Sequence, residues 1–423
     1  MRKRAVSATI GSILYMGLGQ LINGEWVKGI LMGLYHYLIL KFALPALRHT
    51  WWGLITLGEI PRRDHSIILL SYGLVGTIVT VIVIGFYIGN IVDAYRGGKR
   101  RDGGHPAPPI RETMTEVIQK SYPYFLVAPA VLFILFTVLF PMLFNMSMAF
   151  TNYDLYNSPP AKLVRWVGFE NFREIVRLAS WKRTFVGVLS WTFLWAILST
   201  FSCFLLGLFL AIVLNNPRIK FRGIIRTILI LPWAMPGFIS ILMWSGFFNT
   251  SFGPINQWLN TLGIASIPWF QNVFWARTAV VLVNLWLGFP FSMALVSGVI
   301  QGIPAELHDA AKVDGASPWQ EFTRITLPLI LYAVSPLLIM QFAGNFNNFG
   351  VVYLLTGGGP PVLGNKGAGG TDILISWIFK MTFDLMKYNY ASAIALLIFI
   401  FVASMSIVNF MQTRAFKEED MMG

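Results

Sequence analysis

The side chains able to do chemistry are few, and their positions exclude more than they offer. The chain has 423 residues and 19 acids. All of the acids fall outside the cores of the apolar runs, whereas carriers driven by protons or sodium usually hold carboxylates within their spans. His36, His49, His65, His105 and His308 share no ligand spacing, so no metal set is predicted. Cys203 is the single cysteine and lies in an apolar run, which rules out a disulfide within the chain and a cysteine metal cluster. Gly97-Gly98-Lys99 lacks the rest of a phosphate loop, and LTGGGPP at 355–361 precedes no Lys-Ser/Thr pair. That glycine run reads as a flexible or tight-turn loop. No nucleophile with an attendant base is visible. The chain reads as a non-enzyme without an ATP site, its energy supplied from outside.

One polar stretch stands apart, IPAELHDAAKVDGASPWQEFTRITLP at 303–328. Pro304 suits a first helical position, and Glu306 and Asp309 lie in early turns, where the helix dipole favours acids. Gly315 can end that helix in a left-handed turn. Ser317 and Gln320 have the spacing of a capping box, with Pro318 at the first helical position of a second helix. Two short helices around a glycine break, held just outside a membrane, form a docking device or an amphipathic loop.

The surrounding elements are apolar. The chain is 56% hydrophobic and 12% charged, about half the charged share of soluble domains. Runs at 26–47, 66–92, 121–150, 184–214, 223–248, 274–301, 324–349 and 389–412 meet or approach the length that crosses a bilayer. The fold class is therefore all-α, a polytopic membrane protein of about eight transmembrane helices. Residues 5–22 are short and rich in small residues, and are expected to lie in the interface or to re-enter. The net charge of +13 is spread over loops, with no basic domain free of apolar spans. It suits loop topology and contact with anionic lipids rather than nucleic acid. The expected organisation is an accessory region at 1–92, a cytoplasmic linker at 93–120, a six-span core at 121–412 and a cytoplasmic tail at 413–423. A small extracytoplasmic insertion occupies 151–183, with a helical cap expected near 169–178.

The spacing of Asp309-Ala310-Ala311, Asp314-Gly315-Ala316 and Ile325-x-Leu327-Pro328 resembles the EAA loop of ABC importer membrane subunits. The first residue there is usually Glu, so Asp309 keeps the carboxylate one methylene shorter. Residues 121–412 resemble the larger membrane subunit of maltose and maltodextrin importers. The similar stretches are LILPWAMPGFISIL ending at Leu242, SFGPIN at 251–256, VNLWLGFPFSMAL at 283–295 and FAGNFNNFGVVYLLTGGGP at 342–360. GQLINGEWVKG at 19–29 is similar to the amino-terminal extensions of such subunits in Gram-positive bacteria.

The resemblance implies a type I importer permease in the bacterial cytoplasmic membrane, with both termini in the cytoplasm. Its partners would be a second homologous membrane subunit, two ATPase subunits carrying ATP and magnesium, and an extracytoplasmic sugar-binding lipoprotein contacted by the cap. No cofactor would sit in this chain. Asp309, Ala310, Ala311, Asp314 and Gly315 would form the coupling helix that docks on the ATPase. The motifs carry a sugar pocket onto Trp233, Gly237, Asn284, Gly288, Phe291, Gln341, Gly344 and Asn345. Trp233 and Phe291 replace Tyr of the maltose-type pattern, Gly237 and Gln341 replace Ser, and Gly344 replaces Phe. Asn and Gly within spans also serve helix packing, and that role stays open for these positions. The implied cargo is a malto-oligosaccharide, with a galacto-oligosaccharide or another glycan as the alternative. A carrier or channel working alone is the alternative from a different class.

Overall fold

The computed structural model describes residues 3–412, so the tail at 413–423 lies outside the described residues. Among those described, regular structure is helical, with only isolated bridges at Thr151–Trp166 and Pro361–Gly369. Among the described residues, seven helices are long and apolar enough to cross a membrane. An eighth span is formed if the pair Arg222–Ala234 and Gly237–Phe247, bent by 95°, is one broken crossing. The chain divides into two compact units, Met1–Gly168 and Phe169–Gly423.

In the first unit, α1 (Lys3–Leu14) and α2 (Leu18–Ile22) are 12 and 5 residues long, too short to cross a bilayer that needs about 20. They lie on α4 (Ser66–Asp102), and α3 (Trp26–Thr56) also packs against α4. Glycines permit the close approach. A Cβ on Gly19 would fall 2.8 Å from Ala94 Cβ, and one on Gly98 would fall 2.5 Å from Ala5 Cα. Polar bonds fix the register: Gln20 Nε2 donates to Asn90 O at 3.0 Å, and Asn23 Nδ2 donates to Ala94 O at 2.8 Å. Asp102 accepts from the backbone N–H groups of Arg4 and Ala5 at 3.1 and 3.0 Å, as an acid should at a helix N-terminus. Residues 93–120 are largely helical. α4 continues through Asp102, and α5 (Ile110–Met148) begins after a short turn.

The second unit runs as follows: α6 (Glu170–Arg177), α7 (Ala179–Asn215), α8 (Arg222–Ala234), α9 (Gly237–Phe247), α10 (Pro254–Thr261), α11 (Val273–Gly302), α12 (Ala305–Val313), α13 (Pro318–Glu321), α14 (Leu327–Phe346), α15 (Phe349–Thr356), α16 (Leu374–Phe383) and α17 (Tyr388–Gln412). α7 and α11 are its central pair. Lipid gives helices little hydrophobic reason to associate, so close van der Waals contact through small residues must hold them. Gly207 provides it, since a Cβ there would fall 2.6 Å from the Met293 backbone nitrogen. Gly288 does the same against Cys203, whose Sγ would lie 2.6 Å from an added Cβ. Two apolar clusters fill the unit. One gathers Trp191, Trp195, Phe248 and Trp269, the other Phe204, Met293, Ile330 and Val334.

Three π-helical turns occur among the described residues, at Ile39–Ala43, Leu135–Leu139 and Phe322–Thr326. Each ends two residues before a proline: Pro45, Pro141 and Pro328. Proline lacks an N–H and its ring clashes with the carbonyl four residues back. That carbonyl belongs to Lys41, Thr137 or Arg324, each inside its π turn, where the widened backbone relieves the clash. Pro129, Pro290 and Pro336 lie inside helices with plain α backbone four residues before them. The proline therefore does not dictate the π turn by itself.

Candidate functional site

The eight pocket positions fall on three pieces of backbone. Trp233 and Gly237 flank the break between α8 and α9. Asn284, Gly288 and Phe291 follow one face of α11 at i, i+4 and i+7, and Gln341, Gly344 and Asn345 follow one face of α14. The structure links these faces. The rings of Trp233 and Phe291 lie 5.9 Å apart. A Cβ on Gly288 would sit 4.0 Å from Gln341 Nε2. Asn284 Nδ2 donates to Asn345 Oδ1 at 3.4 Å.

Burial divides the set. Asn284 and Asn345 are 5% and 7% exposed, and their amides are spent on one another and on neighbours. Asn345 Nδ2 donates to Thr200 Oγ1 at 3.0 Å, and Asn348 Nδ2 donates to Asn284 Oδ1 at 3.0 Å. Trp195 Nε1 donates to the Asn345 carbonyl at 2.9 Å. This network ties α7, α11 and α14 together beside the turn that starts α15. Trp233, Gly237, Phe291 and Gly344 instead face outward. Nothing lies within 4 Å of a Cβ placed on Gly237 or Gly344. Aromatic surface and open space thus occupy one side, with a closed amide network behind. Sequence reasoning missed Thr200 and Asn348. The asparagine run in FNNFG, at a helix break, was the available signal for Asn348; Thr200 sits in an apolar helix without a local pattern.

The break itself is informative. Pro236 has no N–H and its carbonyl accepts from Ile239 N at 3.0 Å, but the Met235 N–H makes no helical bond, and irregular backbone at membrane depth survives only where it is covered by protein or lines a water-filled path. In this chain Met235 and Pro236 are exposed. Two cavities of the unit lie elsewhere. One of about 410 Å³ is lined by Arg183, Arg277 and Asp372, and another of about 310 Å³ by Trp191, Leu194 and Phe274. None of the eight positions lines either cavity.

The loop after α15 uses its glycines to enclose a carboxylate. Gly357 and Gly358 have φ of +57° and +76°, a region costly for residues with a Cβ. A Cβ on Gly358 would overlap the Asp372 carboxylate. Asp372 accepts from Lys380 Nζ at 2.6 Å, Gly369 N at 2.7 Å and Ser376 Oγ at 2.8 Å. Burial pushes the Asp372 carboxyl above its usual range, against the pull of Lys380 and these donors. The glycine run is a tight turn around an internal ion pair.

The coupling positions form a separate surface. Asp309 and Ala310 lie exposed on α12, Asp314 and Gly315 end it, and Ala311 faces inward. Gly315 has φ +77°, the left-handed value that its place after a helix demands. The capping box is present: Gln320 N donates to Ser317 Oγ at 3.3 Å, and Ser317 N donates to Gln320 Oε1 at 2.8 Å. Pro304 is the N-cap residue rather than the first helical one. His308 Nδ1 meets Glu321 Oε1 at 2.5 Å and braces α12 on α13. Leu307, Val313 and Trp319 expose 44%, 88% and 71% of their surface, an apolar face around the acidic one.

The cap expected near 169–178 is α6. Its Asn171 Oδ1 accepts from Asn389 Nδ2 at 3.0 Å, and Glu174 is bonded by the Tyr390 hydroxyl.

Compared with known proteins, residues 204–417 match the family described as binding-protein-dependent transport system inner membrane component. The galactooligosaccharides transport system permease protein GanP of Bacillus subtilis (strain 168) is 43% identical over 99% of this chain and 100% of its own length. The maltodextrin transport system permease protein MdxF of the same organism is 40% identical over 96% of this chain and 95% of its own. Among solved structures, a chain of a bacterial ABC transporter involved in the import of the acidic polysaccharide alginate shares the fold, with a TM-score of 0.57. It is 23% identical and covers 71% of this chain and 99% of that one.

Proposed function

The chain belongs to the binding-protein-dependent transport system inner membrane components as a permease subunit of an ABC sugar importer, and we propose that its cargo is a neutral oligosaccharide longer than a disaccharide. The observation that carries this reading is the exposed aromatic pair Trp233 and Phe291, with open space at Gly344 and no charged residue among the eight pocket positions. Aromatic faces suit the C–H faces of sugar rings, and the Gln341 amide can serve hydroxyls at the rim. Gly344 leaves room that a phenylalanine would fill. A malto-oligosaccharide is the first reading, from the motif pattern around the pocket. A galacto-oligosaccharide is the second, favoured by the full-length likeness to GanP.

In this reading a second, homologous membrane subunit covers the broken span at 235–236, so that its freed backbone lines a path rather than meeting lipid. Two separate ATPase subunits hold ATP and magnesium and receive α12. An extracytoplasmic binding protein delivers the sugar near α6, and both termini lie in the cytoplasm. The polar stretch at 303–328 is joined on both sides to the helices that bear the candidate pocket. α11 enters it at Gly302, and a continuous helix leaves from Pro318 to Phe346. Closure of the ATPases moves the braced pair α12–α13 as one body, and both pocket faces follow. The test is ATP-dependent uptake into proteoliposomes holding all subunits, with malto- and galacto-oligosaccharides of graded length. Uptake of neither class overturns the cargo assignment.

A further inference from the structure

The first unit contains a cavity lined by none of the eight candidate pocket positions. It is about 330 Å³ and lies where the apolar run of α4 gives way to charge. Lys28, Arg96, Arg100 and Lys120 line it against Glu25 and Asp93. The acids are engaged: Glu25 meets Lys28 and Arg101 at 3.1 Å each, and Asp93 meets Lys28 at 3.5 Å. Arg96 and Arg100 form no ion pair among the described residues, and the described lining sets four cations against two acids.

The wall above the cavity has a particular shape. Gly85, Gly89, Val92, Arg96 and Arg100 follow one face of α4 at helical spacing. Cβ atoms on Gly85 and Gly89 would meet nothing within 4 Å, so this face is a furrow flanked by the exposed side chains of Ile82, Phe86 and Ile88. Val92 forms the lip, 40% exposed. An apolar furrow running down into a cationic cavity at the end of a span fits a molecule with an anionic head and a hydrocarbon tail.

We propose that this cavity binds the headgroup of an anionic phospholipid, with phosphate oxygens on Arg96 and Arg100 and an acyl chain along Gly85 and Gly89. Guanidinium groups pair with phosphate through two parallel N–H bonds, and each basic side chain near a membrane surface adds a similar increment to anionic-lipid affinity.

The test uses the complete importer, purified and titrated with phosphatidylglycerol or phosphatidylethanolamine, with bound lipid counted by native mass spectrometry. The wild type should retain phosphatidylglycerol and discriminate against phosphatidylethanolamine. Arg96→Gln with Arg100→Gln should weaken phosphatidylglycerol binding about thirtyfold, from two basic contacts. Arg96→Lys with Arg100→Lys should keep most of the binding, and Arg218→Gln with Arg222→Gln should change nothing. If the glutamine pair fails to fold, the lysine pair and the lipid preference of the wild type decide the question. Equal retention of both lipids, or equal binding by the glutamine pair, overturns the proposal. So does inorganic phosphate that displaces the lipid at millimolar concentration, which would mark a soluble ligand. A Gly89→Cys cross-link to the partner membrane subunit would assign the furrow to a protein helix and overturn it equally.

Discussion

Replacing Asn345 by alanine separates helix locking from sugar contact at the centre of the candidate pocket. The Asn345 side chain donates to Thr200 at 3.0 Å and accepts from Asn284 at 3.4 Å. Interhelical hydrogen bonds within membranes average about 0.6 kcal/mol and reach about 1.7, so the short bond and the long one together are worth about 1–2 kcal/mol. Truncation also strands the Asn284 Nδ2 donor in a buried site, which costs about 1–3 kcal/mol. Loosening of the neighbours offsets part of that, and a net loss of about 2–3 kcal/mol is expected. For a unit of this size that is a fall of roughly 5–10 °C in melting midpoint. The assay is thermal unfolding of the purified importer beside sugar-concentration curves for uptake. The expected result is a lower midpoint with a half-saturation concentration changed by less than about twofold, because uniform binding to the sugar is not what was removed. An unchanged midpoint with a large rise in half-saturation would refute the locking role and return Asn345 to the sugar.

Three further outcomes are expected. Gly344→Phe should reduce uptake of longer oligosaccharides more than of disaccharides, since the added ring fills space that is open at that position; equal uptake at every chain length would sink the idea. Asp309→Lys should leave membrane insertion and melting unaltered, Asp309 being 72% exposed in its side chain, while ATP hydrolysis no longer drives uptake; unchanged coupled transport would remove Asp309 from the mechanism. Asp372 gives a pH signature. Its folded-state carboxyl is raised by burial, so the folded chain holds this proton at a pH where the unfolded chain, near pH 4, has released it. This group's contribution to stability therefore falls as pH rises through that window and is level above it. The midpoint of the wild type minus that of Asp372→Asn, measured from pH 3.5 to 8, should follow that course; a difference that grows with pH contradicts it.

The spans were legible because bilayer thickness imposes a length on apolar runs. Gly315 and the Ser317–Gln320 box were legible because caps are local chemistry within four residues. The charged extension of α4 beyond Asp93 was not, since a helix projecting past its apolar run looks like a linker when only hydropathy is read. What holds it is distant: Asp102 bonds the start of α1, and Arg101 meets Glu25. The candidate pocket positions rest on motif similarity, and their division into outward and inward members was not visible there. That division depends on Thr200 and Cys203, which α7 brings against α11 and α14. The Asp372–Lys380 pair was hidden for a similar reason, as a loop closing on itself leaves no periodic trace.

The π turn at Phe322–Thr326 has a consequence for how the helix downstream can be edited. A π turn is equivalent to one residue inserted into an α-helix, and an α-helix rotates by about 100° per residue. Deleting one residue there, Thr323 for example, would remove that insertion and return the segment to plain α geometry, leaving the Gln341–Asn345 face in its present phase relative to Trp319 and Gln320. Relaxing the turn to α geometry with every residue kept would instead rotate that face by about a quarter of a circle, and Asn345 would no longer point at Thr200. The polar stretch at 303–328 and the candidate pocket are thus aligned as they would be in a plain helix one residue shorter, so a single-codon loss at the base of this helix would spare their register.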